Sequence, residues 1–368
     1  MNNLKYQKLI GVRLQSKEKP MTMNAYTIEK KNVGKLLNEF LKHAKVYGPT
    51  KSGYESTFDE ITSIDQLHLD YHSTVLPPKK FFHPPKDQLF SYSKDSNSFT
   101  SKELFSEETS LLFGIHPCDV HALLRLDKFF SEEFTDIYYL KRRKNTYIVA
   151  LNCVEPSEHS FCHSLGTGPF LTEGYDLLLT DIGTKYLIEI GTDNGKKLIE
   201  KIDLEKATEI DFQEKGQRCQ LTGRKFKRHM NTSWLARIAS ENLNHPVWTD
   251  LAERGGIAGS HACLSCGSCS LVCPTCYCYD MYDTIDISLQ NGQRVRELDS
   301  CQLLEYAEVA QHGNFRRDRK ARIRHWMLCK FGAAAGGINS SCVGCGRCIR
   351  VCPSKIDITQ VAKILRGE

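Results

Sequence analysis

The chain has 368 residues, of which 40% are hydrophobic and 25% charged, and its formal net charge is +5. This length indicates two domains, and the composition is typical of a soluble globular protein. No apolar run approaches the roughly 20 residues of a membrane-spanning helix, so the sequence excludes a membrane span. The mild positive charge does not by itself indicate any class of partner.

Sixteen cysteines could mean disulfides, but the first twenty residues have neither the apolar core nor the cleavage site of a secretion signal. We therefore expect a cytoplasmic location, in which thiols stay reduced and clustered cysteines are metal ligands. The segment 1–22 is predicted to be an N-terminal extension, with Met21 or Met23 as the alternative start of the folded chain.

Helices and strands alternate in the first half of the sequence. A helix is predicted from Val33, where apolar residues recur at helical spacing. A short buried strand over 111–114 precedes a tight turn and a helix from about Asp119. A second buried strand ends at Cys153, and two β-rich runs around Asp181 predict a hairpin.

The pattern changes near 225–245, where strand signals fade and charged helical segments follow. We therefore predict an α+β fold, with a mixed α/β domain over 23–235 and a helical domain over 236–368.

The second half contains the same cysteine pattern twice, as "CLSCGSCSLVCP" at 263–274 and "CVGCGRCIRVCP" at 342–353. Three thiolates spaced by two residues suit one corner of a [4Fe-4S] cube, and in two-cluster ferredoxins the fourth cysteine ligates the other cluster. The predicted ligands of the first cluster are Cys263, Cys266, Cys269 and Cys352. The predicted ligands of the second cluster are Cys342, Cys345, Cys348 and Cys273.

A pair of structural zinc sites is the alternative, since four thiolates also suit zinc. Zinc motifs usually offer two Cys-x2-Cys pairs, so the repeated run of three ligands and Cys-Pro favours iron–sulfur clusters. The long, mostly helical gap between the motifs predicts a helical dicluster ferredoxin domain rather than the small β-containing type.

The gap also holds a basic segment in which Arg316, Lys320 and Arg324 are predicted to share one helical face. It has no interleaved aromatic residues, so we expect no nucleic-acid partner. A solvated helix face and a docking surface for an acidic redox partner are the two interpretations.

Together with "HPCDVHAL" and "NCVEPSEHSFCHSLGTGP" upstream, these motifs resemble the β subunits of soluble NiFe hydrogenases (sulfhydrogenases) and, equally, the corresponding iron–sulfur chain of anaerobic sulfite reductase. The resemblance extends from about Met23 to the C-terminus. It implies a non-catalytic electron-transfer subunit of an oxidoreductase complex. Its partners would be an FAD- and NAD(P)H-binding subunit on one side and a hydrogenase, sulfur reductase or sulfite reductase on the other. The alternative is a free-standing iron–sulfur enzyme or sensor with an open iron in its N-terminal domain.

The resemblance also implies a third cluster, because such proteins have four further cysteines upstream. This chain matches at Cys118, Cys153 and Cys162, but Ser160 stands at the fourth position. The fourth ligand is then Ser160 or a neighbouring histidine, His159 or His163. The alternative is three buried cysteines that pack as small apolar residues.

Overall fold

The computed structural model describes residues 25–95, 98–132, 134–253, 255–257, 259–332 and 341–368, so the predicted extension over 1–22 and its alternative starts lie outside the described residues. The described chain is mixed α/β. Its strands are β1 Ala25–Glu29, β2 Lys45–Ser52, β3 Glu55–Glu60, β4 Lys86–Lys94, β5 Phe99–Glu103, β6 Ser110–Ile115, β7 Thr146–Leu151, β8 Leu177–Asp181, β9 Lys185–Ile190, β10 Glu205–Lys206, β11 Tyr279–Ile285, β12 Asn291–Leu298, β13 Glu308–Val309 and β14 Gly313–Asn314. Its α-helices are α1 Val33–Phe40, α2 Pro117–Ser131, α3 Ile137–Lys144, α4 Asp193–Ile199, α5 Glu209–Gly223, α6 Leu235–Glu241, α7 Val247–Ala252, α8 Ser268–Leu271, α9 Arg319–Phe331, α10 Arg347–Arg350 and α11 Ile358–Arg366. No helix in these ranges is long and apolar enough to cross a membrane.

The N-terminal half is built on an eight-stranded sheet in the order β10-β1-β9-β8-β7-β6-β2-β3. The strands β2, β6, β7 and β8 run parallel to one another, and the remaining neighbours are antiparallel. In the register, Ser110 of β6 lies opposite Thr146 of β7. The parallel strands β6 and β7 are therefore neighbours, and the residues that follow them leave the sheet at one edge.

Side chains alternate between the two faces of this sheet, and each face is covered by helices. Leu111 and Phe113 of β6 pack with helices α1 and α4 on one face. Leu112 and Ile115 pack with α2 and α3 on the other face. The sheet is thus apolar on both sides, which explains why its central strands read as continuous hydrophobic runs in the sequence.

Most sequence-predicted elements of this half are confirmed. The helix predicted from Val33 is α1, and the hairpin around Asp181 is formed by antiparallel β8 and β9. The helix expected from about Asp119 already begins at Pro117, because proline lacks the N–H that the first helical position leaves unpaired.

A separate apolar core lies in the C-terminal half. It is formed by helices α6, α7, α9 and α11 and includes the large side chains Trp248, Trp326 and Phe331. Phe161, from the loop after β7, is fully buried in the same core. The N-terminal half therefore contributes a side chain to the packing of the C-terminal half.

The expectation that strand signals fade near 225–245, and that the gap between the motifs is mostly helical, is not confirmed. The strands β11 and β12 form a hairpin that extends β4 and β5 into a four-stranded sheet, so this sheet joins segments from both predicted domains. Between the motifs, α9 is the one long helix of the described residues. The hairpin was missed because most of β11 is exposed and carries no apolar alternation, and β12 is held by pairing with β4.

Candidate metal centre

The two cysteine motifs have the same local geometry. In each motif a four-residue helix, α8 or α10, follows a glycine in the left-handed region, Gly267 at φ 78° and Gly346 at φ 76°. The backbone N–H two residues after the first cysteine donates to that cysteine's Sγ, at 3.4 Å for Cys263 and 3.3 Å for Cys342. Such N–H···S bonds stabilise a thiolate, so both motifs are preformed to hold charged sulfur.

The last cysteine of the second motif lies beside the first motif. Burial raises the pKa of the Cys269 thiol, and charge on Cys263, Cys352 and Cys266 raises it further. Burial also raises the pKa of Cys263, and Cys352 adds to that effect. Cys352 therefore lies within electrostatic reach of Cys263 and Cys269, two of its three predicted co-ligands.

The last cysteine of the first motif lies beside the second motif in the same way. Burial raises the pKa of Cys348, and charge on Cys342, Cys345 and Cys273 raises it further. Charge on Cys273 also raises the pKa values of Cys342 and Cys345, both of which burial already raises. Each motif's last cysteine therefore lies within electrostatic reach of the other motif, and charge effects also link Cys273 to Cys269 and Cys269 to Cys348.

Two buried lysines face the second set. The Nζ of Lys79 donates to the carbonyl of Cys276 at 2.6 Å, and the Nζ of Lys330 is 3.2 Å from the Oγ1 of Thr275. A hydrogen bond from Cys276 lowers the pKa of Cys273 well below its usual value, and the charges of both lysines lower it further. Sequence reasoning missed both lysines. Lys79 is far from the second motif in the sequence, and Lys330 has no spacing to the cysteines that would mark it.

The three upstream cysteines line one cavity together with Ser160. The cavity lies where β6 and β7 end, at the start of α2. Burial raises the pKa of Cys153 to about 12 and also raises the pKa values of Cys118 and Cys162. Charge on Cys153 adds to the rise at Cys162, and charge on Cys162 adds to the rise at Cys118, so the three thiols lie within reach of one another.

The candidate fourth ligands differ in position. Ser160 lines the cavity, where its hydroxyl donates to the carbonyl of Ser157 at 2.7 Å. His159 and His163 are not among the residues that line the cavity. The Nε2 of His163 lies 2.8 Å from the Nδ1 of His229 instead.

Two histidines that sequence reasoning did not select, His72 and His116, do line the cavity. The Nδ1 of His72 is hydrogen bonded to the carbonyl of Glu155 at 3.1 Å. The ring of His116 is buried and stacks on Tyr71, with centroids 4.0 Å apart. Burial lowers the pKa of His116 to about 3, so this imidazole is neutral at ordinary pH.

The cavity adjoins the second motif, because the loop that carries Ser160 and Cys162 lies against that motif's glycines. A Cβ placed on Gly344 would lie 2.6 Å from the backbone nitrogen of Cys162, and one on Gly346 would lie 2.3 Å from the carbonyl oxygen of His159. Cys345 also lines the cavity. The upstream group and the second motif thus form one continuous region.

These residues fit iron–sulfur clusters in their chemistry. Buried thiols that raise one another's pKa ionise only where a cation compensates their charge, and iron does this in a cluster. Left-handed glycines in both motifs allow the backbone to turn closely around such a group. In the described residues, no three His, Cys, Asp or Glu side chains are gathered closely enough to hold a single metal ion.

Comparison with known proteins agrees with this chemistry. Residues 262–356 match the family model of a 4Fe-4S dicluster domain. The sulfhydrogenase 2 subunit beta of Pyrococcus furiosus is 37% identical over 333 residues, which cover 89% of this chain and 94% of that protein. No solved structure matches the chain.

Proposed function

The chain belongs to the family of sulfhydrogenase β subunits, and we propose that it relays electrons inside a multi-subunit cytoplasmic oxidoreductase. In this proposal one partner is a subunit that binds FAD and NAD(P)H. The other partner is a catalytic subunit, either a hydrogenase that also reduces sulfur or a sulfite reductase. The cytoplasm suits this role because all sixteen cysteines are free thiols.

The observation that supports the proposal is the electrostatic proximity of each motif's last cysteine to the other motif. Charge on Cys273 raises the pKa of Cys348 and charge on Cys352 raises the pKa of Cys269, and a two-cluster ferredoxin requires this proximity. We propose that Cys263, Cys266, Cys269 and Cys352 hold one [4Fe-4S] cluster. The second would be held by Cys342, Cys345, Cys348 and Cys273.

When bound, such clusters supply one-electron transfer at potentials set by charge, hydrogen bonds and exposure. The protein residues around them control those three quantities. Lys79 and Lys330 place buried positive charge beside the second set, and Gly344 donates its N–H to Cys342. The N-terminal domain covers the second motif and thereby limits the access of water to it.

We further propose that Cys118, Cys153 and Cys162 hold a third cluster, with Ser160 as the nearest candidate for a fourth ligand. Support comes from the shared cavity and from its position beside Cys345. A third site there would give the N-terminal domain a part in electron transfer.

The same cavity also favours a second candidate function. With three thiols and no fourth upstream cysteine in its lining, it could leave one iron open, which is typical of an iron–sulfur enzyme or sensor rather than a relay. Under this alternative a small molecule would bind in the cavity, and the chain would act without a catalytic partner.

The proposed function is tested by purifying the chain anaerobically from its source with an affinity tag. We expect about twelve irons per chain from three clusters, or about eight if the upstream site is empty. We also expect one co-purified subunit with bound FAD and one with its own catalytic metal. Stoichiometric zinc in place of iron, or an isolated chain that turns over substrate alone, would contradict the proposal.

A further inference from the structure

The two cysteine motifs provide an internal comparison, because each position in one has a counterpart in the other. Val343 of the second motif is 2% exposed, whereas its counterpart Leu264 is 62% exposed. Cys345 is partly buried, whereas its counterpart Cys266 is exposed. The two motifs share a local fold and differ in what covers them.

The second motif is covered by the N-terminal domain. The N–H of Phe161 donates to the carbonyl of Gly344 at 2.8 Å, and Thr167 Oγ1 donates to the carbonyl of Val343 at 2.9 Å. At the counterpart of Gly344 the first motif has Ser265, whose side chain would block the same close approach. Among the residues that the structure describes, none covers the face around Cys266 in this way.

Exposed apolar side chains lie in the first motif and in segments that pack against it. Leu264 and Leu271, which is 38% exposed, flank Cys266 in the motif itself. The exposed side chains of Leu304 and Phe315 belong to segments that pack beside the motif. A Cβ on Gly267 would lie 3.0 Å from Ser300 Oγ, which places the segment leading to Leu304 against the motif.

A positively charged segment borders the same face. Six cations lie within 316–324, against the single carboxylate of Asp318, which caps α9 by accepting the N–H of Ala321. The guanidinium of Arg322 reaches Ser265 Oγ at 3.3 Å, directly beside Cys266. None of the six has an ion pair within the described ranges, and Arg317 and Arg319 are exposed. Two further carboxylates, those of Glu305 and Glu308, are too few to cancel the charge of the six cations, so the surface stays positive.

We propose that this Cys266 face, formed by Leu264, Cys266, Leu271, Leu304, Phe315 and the cations Arg316, Arg317, Arg319 and Lys320, docks an acidic redox protein and is where electrons enter or leave the chain. The inference rests on the proposed function, since it assumes a cluster at Cys266. An apolar centre with a polar rim is the usual anatomy of a protein interface. A positive rim also accelerates the encounter with an acidic partner.

The position of the face can be tested in the purified native complex by photo-crosslinking. A photoreactive amino acid at Leu264 should form an adduct with a subunit that itself carries a flavin or an iron–sulfur cluster. The matched control is the same amino acid at Ile287, an exposed apolar residue on the β11–β12 hairpin. No adduct from position 264 in an intact complex, or an equal yield from position 287, would overturn the inference.

The charge of the partner can be tested with a plant-type [2Fe-2S] ferredoxin, an acidic protein that gives up one electron as this chain takes up one. Arg317→Glu/Lys320→Glu should lower its second-order rate of reducing the chain at least about ten-fold at low ionic strength. Lys196→Glu/Lys197→Glu, the same charge change on exposed residues of α4, should leave the rate unchanged. Iron content must match the wild type in both variants.

Reduction of the wild-type chain by methyl viologen distinguishes a failure of the proposed function from a failure of the docking inference alone. If viologen does not reduce the chain, the proposed function fails and the docking inference fails with it. If viologen reduces the chain but the Arg317→Glu/Lys320→Glu variant reacts with ferredoxin as fast as the wild type, the docking inference alone is overturned.

Discussion

Arg347 and Asp119 form a doubly hydrogen-bonded ion pair, at 2.6 and 2.8 Å, in which both side chains are 2% exposed. Arg347 lies between two cysteines of the second motif, and Asp119 directly follows Cys118. The pair therefore joins the second motif to the upstream cysteine group. Arg347 also donates to the carbonyl of Thr74, so its guanidinium is satisfied by several partners within the N-terminal domain.

We expect Arg347→Met to lower the free energy of unfolding by about 3–5 kcal/mol, because it leaves the Asp119 carboxylate buried without a counter-charge. The double variant Arg347→Met/Asp119→Leu should recover part of this loss, since it removes both charges. Anaerobic chemical denaturation followed by tryptophan fluorescence measures the difference.

The exposed ion pair of Arg294 and Asp283 provides a matched control. Arg294→Met should cost less than about 1 kcal/mol, as is usual for surface ion pairs. A similarly small loss for Arg347→Met would show that the buried pair does not hold the two regions together.

If the two motifs exchange their fourth cysteines as proposed, pairs of variants should change the same spectroscopic signal. Cys266→Ser and Cys345→Ser serve as references, because each perturbs a ligand in the middle of one motif. Cys273→Ala should change the same electron paramagnetic resonance signal as Cys345→Ser, and Cys352→Ala the same signal as Cys266→Ser. The opposite pairing would mean that each motif closes on its own fourth cysteine.

Much of the centre could be predicted from sequence because its ligands are local. Spacing alone groups three cysteines in each motif, and runs of apolar residues located β6 and β7. Those two strands are parallel neighbours, so Cys118 and Cys153, which follow them, could be expected at one edge of the sheet. The structure places both in one cavity.

What could not be predicted depends on contacts between distant parts of the chain. From the sequence, Arg347 would be expected on the surface, because its partner Asp119 is more than two hundred residues away. Nothing in the sequence indicates that Lys79 contacts Cys276. The β11–β12 hairpin is specified by pairing with β4, almost two hundred residues earlier, rather than by its own apolar pattern. Helical spacing also failed at Arg316, which precedes the first turn of α9.

His83 predicts a specific dependence of stability on pH. Its side chain is fully buried, and neither ring nitrogen has a hydrogen-bond partner in the described chain. Burial lowers its pKa to about 3, with the charges of Arg296 and Lys79 adding to the effect. The unfolded chain takes up a proton near pH 6.5 and the folded chain does not, so acid favours unfolding between these two values.

The contribution of His83 is therefore complete above about pH 6.5 and is lost as the pH falls toward 3, by at most about 1.4 kcal/mol per pH unit. His83→Phe should flatten this part of the profile when the free energy of unfolding is measured between pH 5 and 7 in denaturant titrations. His312→Asn, at an exposed histidine, should leave the slope unchanged. An equal slope in wild type and His83→Phe would exclude a buried neutral His83.

The fourth position of the upstream group can be examined by restoring a thiol. Ser160 is 6% exposed and lines the same cavity as the three cysteines, so a sulfur in place of its hydroxyl oxygen would need little rearrangement. We expect Ser160→Cys to keep the iron content at the wild-type value of about twelve per chain and to make the third cluster more resistant to loss in oxygen. The resonance signal of that cluster should change, while the signals defined by Cys266→Ser and Cys345→Ser stay as in the wild type.

Ser157→Cys is the matched control, because Ser157 lines the cavity but does not occupy the position next to Phe161. If the wild type and both variants all hold only about eight irons and have the same spectra, the upstream cysteines are packing residues, and electron transfer is confined to the two C-terminal motifs.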